Sequence, residues 1–265
     1  NRLSMGIQTF NESILKVLQR RHTARQAIEA FQNCRAAGFQ NISIDLMYGL
    51  PGETLSTWQQ DLDQALLLHP EHLSAYHLIY EEDTVLWKLR EQHKVEEADE
   101  DLSVSLFSTL IDRLTSEGYD HYEISNFSLP GLYSRHNSSY WTEKKYLGCG
   151  PSAHSYNGVS RQWNVASLDT YIKGISAGTP VFEIEELDLY TRYNDFVITR
   201  IRTEWGMPLS KLRDEFGEKL YDYCLRMAAP HLKQGTLELV NDILKLTRKG
   251  IFISDGIMSD MLWTD

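Results

Sequence analysis

The sequence predicts an α/β fold, in which the later strands of a partial parallel β/α barrel precede a mostly helical C-terminal domain containing a small hairpin. Three observations predict it. Short stretches rich in β-formers alternate with amphipathic helical stretches through the first half. The segments between them are long enough for right-handed crossovers between parallel strands. Beyond residue 160 the pattern changes to longer helical stretches and one closely spaced strand pair.

Taken in order, the strand-like stretches are residues 2–9, 41–49, 72–80 and 119–126. Residues 24–37 form an alanine-rich helix that ends at Gly38, a natural C-terminal cap. Residues 55–68 place Leu55, Trp58, Leu62 and Leu66 on one helical face before Pro70. Leu102, Leu106, Leu110 and Leu114 recur every fourth residue, and Gly118 stops that helix. Four such strands make part of a barrel, not a closed eightfold one. Residues 187–201 and 209–232 read as helices separated by Gly206-Met207-Pro208. Residues 237–240 and 243–246 flank Asn241-Asp242 as a hairpin, and Thr247 caps a short final helix. The expected domains are therefore 1–160, barrel-derived, and 161–265, a helical cover for it.

Bulk properties narrow the function. With 26 Lys and Arg against 37 Asp and Glu, the net charge is −11. Such a surface repels phosphate backbones and argues against nucleic acid as a partner. Helices followed by a hairpin are similar to a winged-helix module, but residues 231–265 carry four Lys/Arg against five Asp/Glu, a poor footprint for DNA. No apolar run approaches the ~20 residues of a membrane span, so the reading is a soluble cytoplasmic protein. Cys34, Cys149 and Cys224 are odd in number and scattered, as reduced thiols are. Cys149, inside Gly148-Cys149-Gly150-Pro151, is expected to be a small buried residue in a tight turn. The chain opens directly on a strand without an initiator methionine, which reads as the later part of a longer protein.

Polar residues within strands mark the candidate site. Gln8 ends the first strand and Asp45 lies between Ile44 and Leu46. In parallel β/α folds, the carboxyl ends of strands face the ligand. A buried carboxylate there needs a partner, either a ligand or an ion pair. The run Arg135-His136-Asn137-Ser138-Ser139-Tyr140-Trp141 follows the Pro130-Gly131 turn and lacks hydrophobic periodicity, so a loop is expected. An imidazole with aromatic neighbours suits axial ligation of heme iron, and a hydrogen-bonded surface histidine suits the same pattern. A β/α hydrolase using Asp45 and a histidine lacks a paired carboxylate or nucleophile motif.

Five runs, in order, carry a resemblance that covers nearly the whole chain. They are residues 2–11 (Arg-Leu-Ser-Met-Gly-Ile-Gln-Thr-Phe-Asn), 44–52 (Ile-Asp-Leu-Met-Tyr-Gly-Leu-Pro-Gly), 122–127 (Tyr-Glu-Ile-Ser-Asn-Phe), 148–156 (Gly-Cys-Gly-Pro-Ser-Ala-His-Ser-Tyr) and 246–255. Together they resemble the oxygen-independent coproporphyrinogen III oxidase family of radical S-adenosylmethionine (SAM) proteins. His136-Asn137-Ser138-Ser139-Tyr140-Trp141 resembles the mark of its HemW-like heme chaperone branch, which the oxidase branch lacks. The resemblance implies a protein that binds heme and delivers it to heme-accepting proteins, with His136 as iron ligand and Tyr140 and Trp141 against the porphyrin. Its alternative is the oxidase, decarboxylating two propionates of coproporphyrinogen to give protoporphyrinogen IX. The resemblance also implies SAM contacts at Gln8, Arg20 and Asp45, with Arg20 gripping the methionine carboxylate, as a guanidinium can through two parallel hydrogen bonds. Ile79 falls where the family packs on adenine. The family's Cys-x-x-x-Cys-x-x-Cys run, which holds a [4Fe–4S] cluster, has no match here and is expected upstream of Asn1. Cluster chemistry is accordingly not expected of this chain alone.

Overall fold

Leu3–Gln8 (β1), Ile42–Tyr48 (β2) and His72–His77 (β3) pair in parallel. Glu12–Val17 (α1) and Ala24–Ala36 (α2) connect the first pair, and Leu55–Leu67 (α3) connects the second. The computed structural model describes residues 1–264, in two compact units that divide between Ser134 and Arg135. The segment 135–160, expected to belong with the barrel strands, therefore lies in the second unit.

Local chemistry explains the first unit's helices. Thr23 accepts from the Gln26 backbone while the Gln26 side chain returns a bond to Thr23, a reciprocal cap at the start of α2. Gly38 follows with φ 93°, as the C-terminal signal requires. Val85–Glu91 (α4) and Glu100–Ser116 (α5) come after β3, and α5 buries Leu106, Leu110 and Leu114. In α3 the buried face is Trp58, Leu62 and Ala65, whereas Leu55, expected on that face, is exposed.

The expected fourth parallel strand is not one strand. Asp120–Glu123 (β4) and Asn126–Ser128 (β5) form a tight antiparallel pair, and β5 runs antiparallel to β3 in a sheet of order β1-β2-β3-β5-β4. The reversal occurs at Ile124-Ser125, a turn without glycine or proline, which leaves no punctuation to read.

Alternation along the strands gives this sheet two chemically different faces. Ile42, Ile44, Leu46 and Tyr48 are buried, and Tyr48 meets Trp58 of α3 with ring centroids 5.7 Å apart. The opposite face carries Ser4 and Gly6 of β1, Ser43 and Asp45 of β2, His72 and Ser74 of β3, and Asn126 and Ser128 of β5, brought side by side by register.

The second unit opens with a helix, Arg135–Trp141 (α6), where a loop was expected. The misreading has a simple cause: its repeating pairs are His136/Tyr140 and Asn137/Trp141, which are not an apolar stripe. A sheet that sequence periodicity did not show follows. His154–Tyr156 (β6), Ser160–Asn164 (β7) and Phe182–Glu186 (β8) form it in antiparallel order β6-β7-β8, with Leu168–Ser176 (α7) before β8. Strand β8 is exposed along its whole length, so no buried alternation announced it. Leu189–Ile201 (α8) and Leu209–Gln234 (α9) match the expected helices, and α9 is interrupted at Gly217, whose φ is 78°. Met207–Pro208 (β9) joins the expected hairpin, Leu237–Val240 (β10) and Ile243–Leu246 (β11), in the order β10-β11-β9. Asn241 and Asp242 both have positive φ, as a two-residue hairpin turn demands. Thr247 caps Arg248–Ile251 (α10), and Ser254–Met261 (α11) closes the unit. No helix among the described residues is long and apolar enough to cross a membrane.

Gly250 shows how tightly the hairpin packs on α10. A β-carbon there would lie 1.9 Å from the Thr236 carbonyl oxygen. Backbone must move to admit it, so Gly250→Ala is expected to destabilise the chain by about 1–3 kcal/mol. Urea denaturation of the variant beside the parent measures this, and an unchanged midpoint would refute it.

Candidate functional site

The polar face of the first sheet places two of the three expected SAM contacts against one glycine. Gln8 ends β1 with φ 71°, an unusual conformation for a side-chain-bearing residue. A β-carbon on Gly6 would lie 2.8 Å from the Gln8 amide nitrogen and 3.5 Å from the Arg20 guanidinium. Arg20, exposed beyond α1, donates to the Gly6 carbonyl oxygen at 3.2 Å. Gly6 thus forms the floor on which Gln8 and Arg20 converge. The guanidinium has donors beyond that single bond and is reachable by a carboxylate.

Asp45 is the register partner of both Gly6 and Ser74, so the strands bring it beside the same glycine. Its carboxylate accepts weak hydrogen bonds from Ser4 Oγ at 3.3 and 3.4 Å. Burial pushes its pKa upward, while bonds from Ser74 and Ser4 and the Arg2 charge pull the other way. Gln8 and Arg20 therefore meet over Gly6, and the register sets Asp45 beside that glycine with Ser4 and Ser74 as its partners. Ile79, by contrast, projects from the segment after β3 with 75% of its surface exposed.

Beside Asp45 runs a buried chain that the sequence reading passed over. Ser43 Oγ and His72 Nδ1 are 2.8 Å apart, and His72 Nε2 and the Tyr122 hydroxyl 2.7 Å apart. Burial, then the Arg2 charge, lowers the His72 pKa to about 3, so the ring is neutral and donates through one nitrogen while accepting through the other. The available signal was the two-residue spacing Ser43-x-Asp45, His72-x-Ser74 and Asn126-x-Ser128, one polar stripe across three strands.

His136 and Tyr140 lie one turn apart on an exposed face of α6. Their rings meet edge to face, with centroids 5.2 Å apart, and Nε2 and the hydroxyl are separated by 3.2 Å. The Tyr146 ring continues the file 5.0 Å from Tyr140. Trp141, half-buried, carries the Arg202 guanidinium 4.2 Å above its ring, which anchors the helix to the unit. His136 is thus accessible, and its ring orientation is set by the contact with Tyr140.

The cysteines occupy unrelated places. Cys34 is half-buried in α2, Cys224 is buried in α9 with its thiol pKa pushed up to about 11, and Cys149 is exposed. Exposure corrects the expectation of a buried Cys149, although the turn itself is tight: a β-carbon on Gly148 would lie 2.1 Å from the His154 carbonyl oxygen. No cluster of three metal-ligating side chains exists among the described residues, so a [4Fe–4S] cluster finds no ligand set in them.

Comparison with known proteins gives family matches in both halves of the chain. The radical SAM superfamily model matches residues 1–65, and that of the HemN C-terminal domain matches residues 187–253. The chain is 31% identical over 268 residues to heme chaperone HemW of Lactococcus lactis, spanning 100% of this chain and 70% of that protein. It is 30% identical over 263 residues to heme chaperone HemW of Bacillus subtilis, spanning 99% and 69% respectively. Among solved structures, coproporphyrinogen III oxidase (HemN) from Escherichia coli, a radical SAM enzyme, superposes with a TM-score of 0.80 at 21% identity. That match covers 98% of this chain and 64% of the other.

Proposed function

The chain belongs to the HemW/HemN-like family of radical SAM proteins, and on that premise we propose that it binds heme and hands it to acceptor proteins. One observation carries the reading: an exposed imidazole, His136, shares a helical face with Tyr140. An imidazole in that position ligates iron through a ring nitrogen, and the neighbouring aromatic rings cover part of a porphyrin face. Relatives about 30% identical over the full chain are heme chaperones, whereas the likeness to the oxidase, at 21% identity, speaks for the fold alone.

In the same reading, Gln8, Arg20 and Asp45 hold SAM, with Arg20 on its carboxylate and Asp45 on hydroxyl or amine hydrogens. The donor set for an iron–sulfur cluster is not among the described residues, so no radical step is assigned to this chain.

Absorption-monitored titration of the chain with heme, beside His136→Ala, tests the proposal. A saturable shift is expected for the parent, and binding at least about tenfold weaker for the variant, since even losing a group that merely orients a metal-ligating histidine costs about 10–100-fold. Equal affinity and equal spectra would remove His136 from the role, and the absence of binding by the parent would overturn the heme reading.

A further inference from the structure

Beneath α6 lies a cavity of about 440 Å³, wholly within the second unit. Five aromatic side chains line it: Tyr140, Trp141, Tyr146, Tyr156 and Phe216. Four cations and three carboxylates line it as well. Most of those charges are already satisfied. Asp195 holds Arg161, and Glu143 holds both Lys211, at 2.7 Å, and Arg200, at 3.0 Å. Glu215 lies 3.5 Å from Lys211. Two lining cations remain without a carboxylate at ion-pair distance among the described residues, Arg192 and Lys144.

Arg192 is the more telling of the two. It projects from α8 into the cavity lining, and its Nε–H is buried without a hydrogen-bond partner. A buried charged donor left unmet is costly, and an anion with two oxygens is what a guanidinium fork satisfies best. Longer-range attraction comes from Asp188, one turn earlier on the same helix, but that carboxylate is exposed and engaged in capping at the Thr191 backbone. The Tyr156 phenol in the same wall is kept protonated by burial, and then by the negative charge of Glu143, so it adds no competing anion.

The walls and the uncommitted charge together select a planar aromatic molecule with carboxylates on one edge. We propose that this cavity is a carboxylate-recognition pocket in which Arg192, assisted by Lys144, receives the propionate edge of the heme held at His136. The assignment rests on the heme reading above and gives it a second point of attachment. Its volume is near the lower end of small-ligand sites, which run about 300–1000 Å³, and so it takes an edge of the macrocycle and not the whole ring. Tyr140 makes the connection: its ring contacts His136 and is also part of the cavity wall. A porphyrin with its iron at His136 that lies across Tyr140 brings its propionates to the cavity mouth. Two-point attachment also separates the roles: the imidazole holds the metal, and the guanidinium fixes which edge of the ring points inward.

Hemin and its dimethyl ester, which keeps the iron and ring but carries no carboxylate charge, decide the matter. Both are titrated into the 265-residue chain, into Arg192→Gln and into Lys144→Gln. The parent is expected to prefer hemin over the ester by about tenfold to a hundredfold, the worth of a charge-assisted hydrogen bond. Arg192→Gln is expected to lose that preference while binding the ester as the parent does; Lys144→Gln should lose part of it. Equal affinity of the parent for hemin and ester overturns the pocket while leaving heme binding intact. Equal weakening of both ligands by Arg192→Gln also overturns it, because a structural role has that signature. Should Arg192→Gln fail to fold, Lys144→Gln decides: a reduced preference for hemin with unchanged ester binding supports the pocket, and an unchanged preference overturns it. If neither ligand binds the parent, the heme reading falls first and the pocket falls with it.

Discussion

Replacing Trp58 with alanine is expected to destabilise the chain by about 3–5 kcal/mol, a fall in Tm of roughly 6–20 °C for a protein of this size. Trp58 is 0% exposed and is among the largest fully buried side chains. Its indole N–H donates to the Leu106 carbonyl at 3.0 Å, tying α3 to α5. Its ring packs against Tyr48, which stacks in turn on Phe107 with centroids 5.9 Å apart. Alanine removes the ring, the bond and the wedge between helix and sheet, and close-packed surroundings only partly collapse into the space. Trp58→Phe separates the contributions: it keeps most of the aromatic volume and loses the donor, so about 1 kcal/mol is expected. A loss for alanine no larger than that for phenylalanine would show that the ring's packing matters little. The consequence reaches the candidate site, because Tyr48 and Asp45 belong to the same strand and face opposite sides of the sheet.

Elements with a strong local signal were legible, and those defined by distant neighbours were not. Helices α2, α3 and α5 combine apolar spacing with a glycine or proline stop, and each is capped by a residue suited to it. The hairpin of β10 and β11 is announced by Asn241-Asp242, whose backbone tolerates positive φ. Strands β4 and β5 were read as one because Ile124 and Ser125 carry no turn signature. Strand β8 is made by pairing with β7, not by burial, and α6 is held by Trp141 under Arg202. Asp45 and Gln8 stood out as polar residues in strands, and Arg20 and His136 through the family resemblance. Convergence on Gly6 could not be read from the chain, because it needs the fold to return Arg20 to β1. The same holds for Arg192, an ordinary helix residue in sequence that only the packing of α8 sets into a cavity wall.

Acidification is expected to leave stability nearly flat between pH 7 and about 4.5 and then to lower it steeply, because two buried groups of the first unit oppose each other. His72 titrates near 6.5 when unfolded, and burial lowers it to about 3 in the fold. Between those values the unfolded chain binds a proton that the folded chain refuses, so stability is full above 6.5 and is lost as pH falls toward 3. At 1.36 kcal/mol per pKa unit this amounts to roughly 4–5 kcal/mol. Glu53 behaves in the opposite sense. Burial raises it from 4.5 to about 7, against hydrogen bonds from the Leu50 and Gly49 backbone, and one of its oxygens has no hydrogen-bond partner. Between 4.5 and 7 the folded chain keeps a proton that the unfolded chain releases, so its effect favours folding as pH falls, by about 3 kcal/mol. Asp45 and Asp61, also raised by burial, add to the Glu53 side. Below 4.5 the Glu53 contribution no longer changes and His72 acts with little opposition. Urea denaturation across this range, on the parent and on single variants, resolves the two. His72→Gln keeps hydrogen-bonding capacity without a titrating ring, so its stability should rise as pH falls from 7 to 4.5. Glu53→Gln should instead weaken steadily from about pH 6.5 downward. Parallel profiles for all three proteins would mean that neither group governs the acid response. Inverted profiles would identify His72 as a neutral strut between Ser43 and Tyr122, which protonation breaks on the same sheet face that carries Asp45.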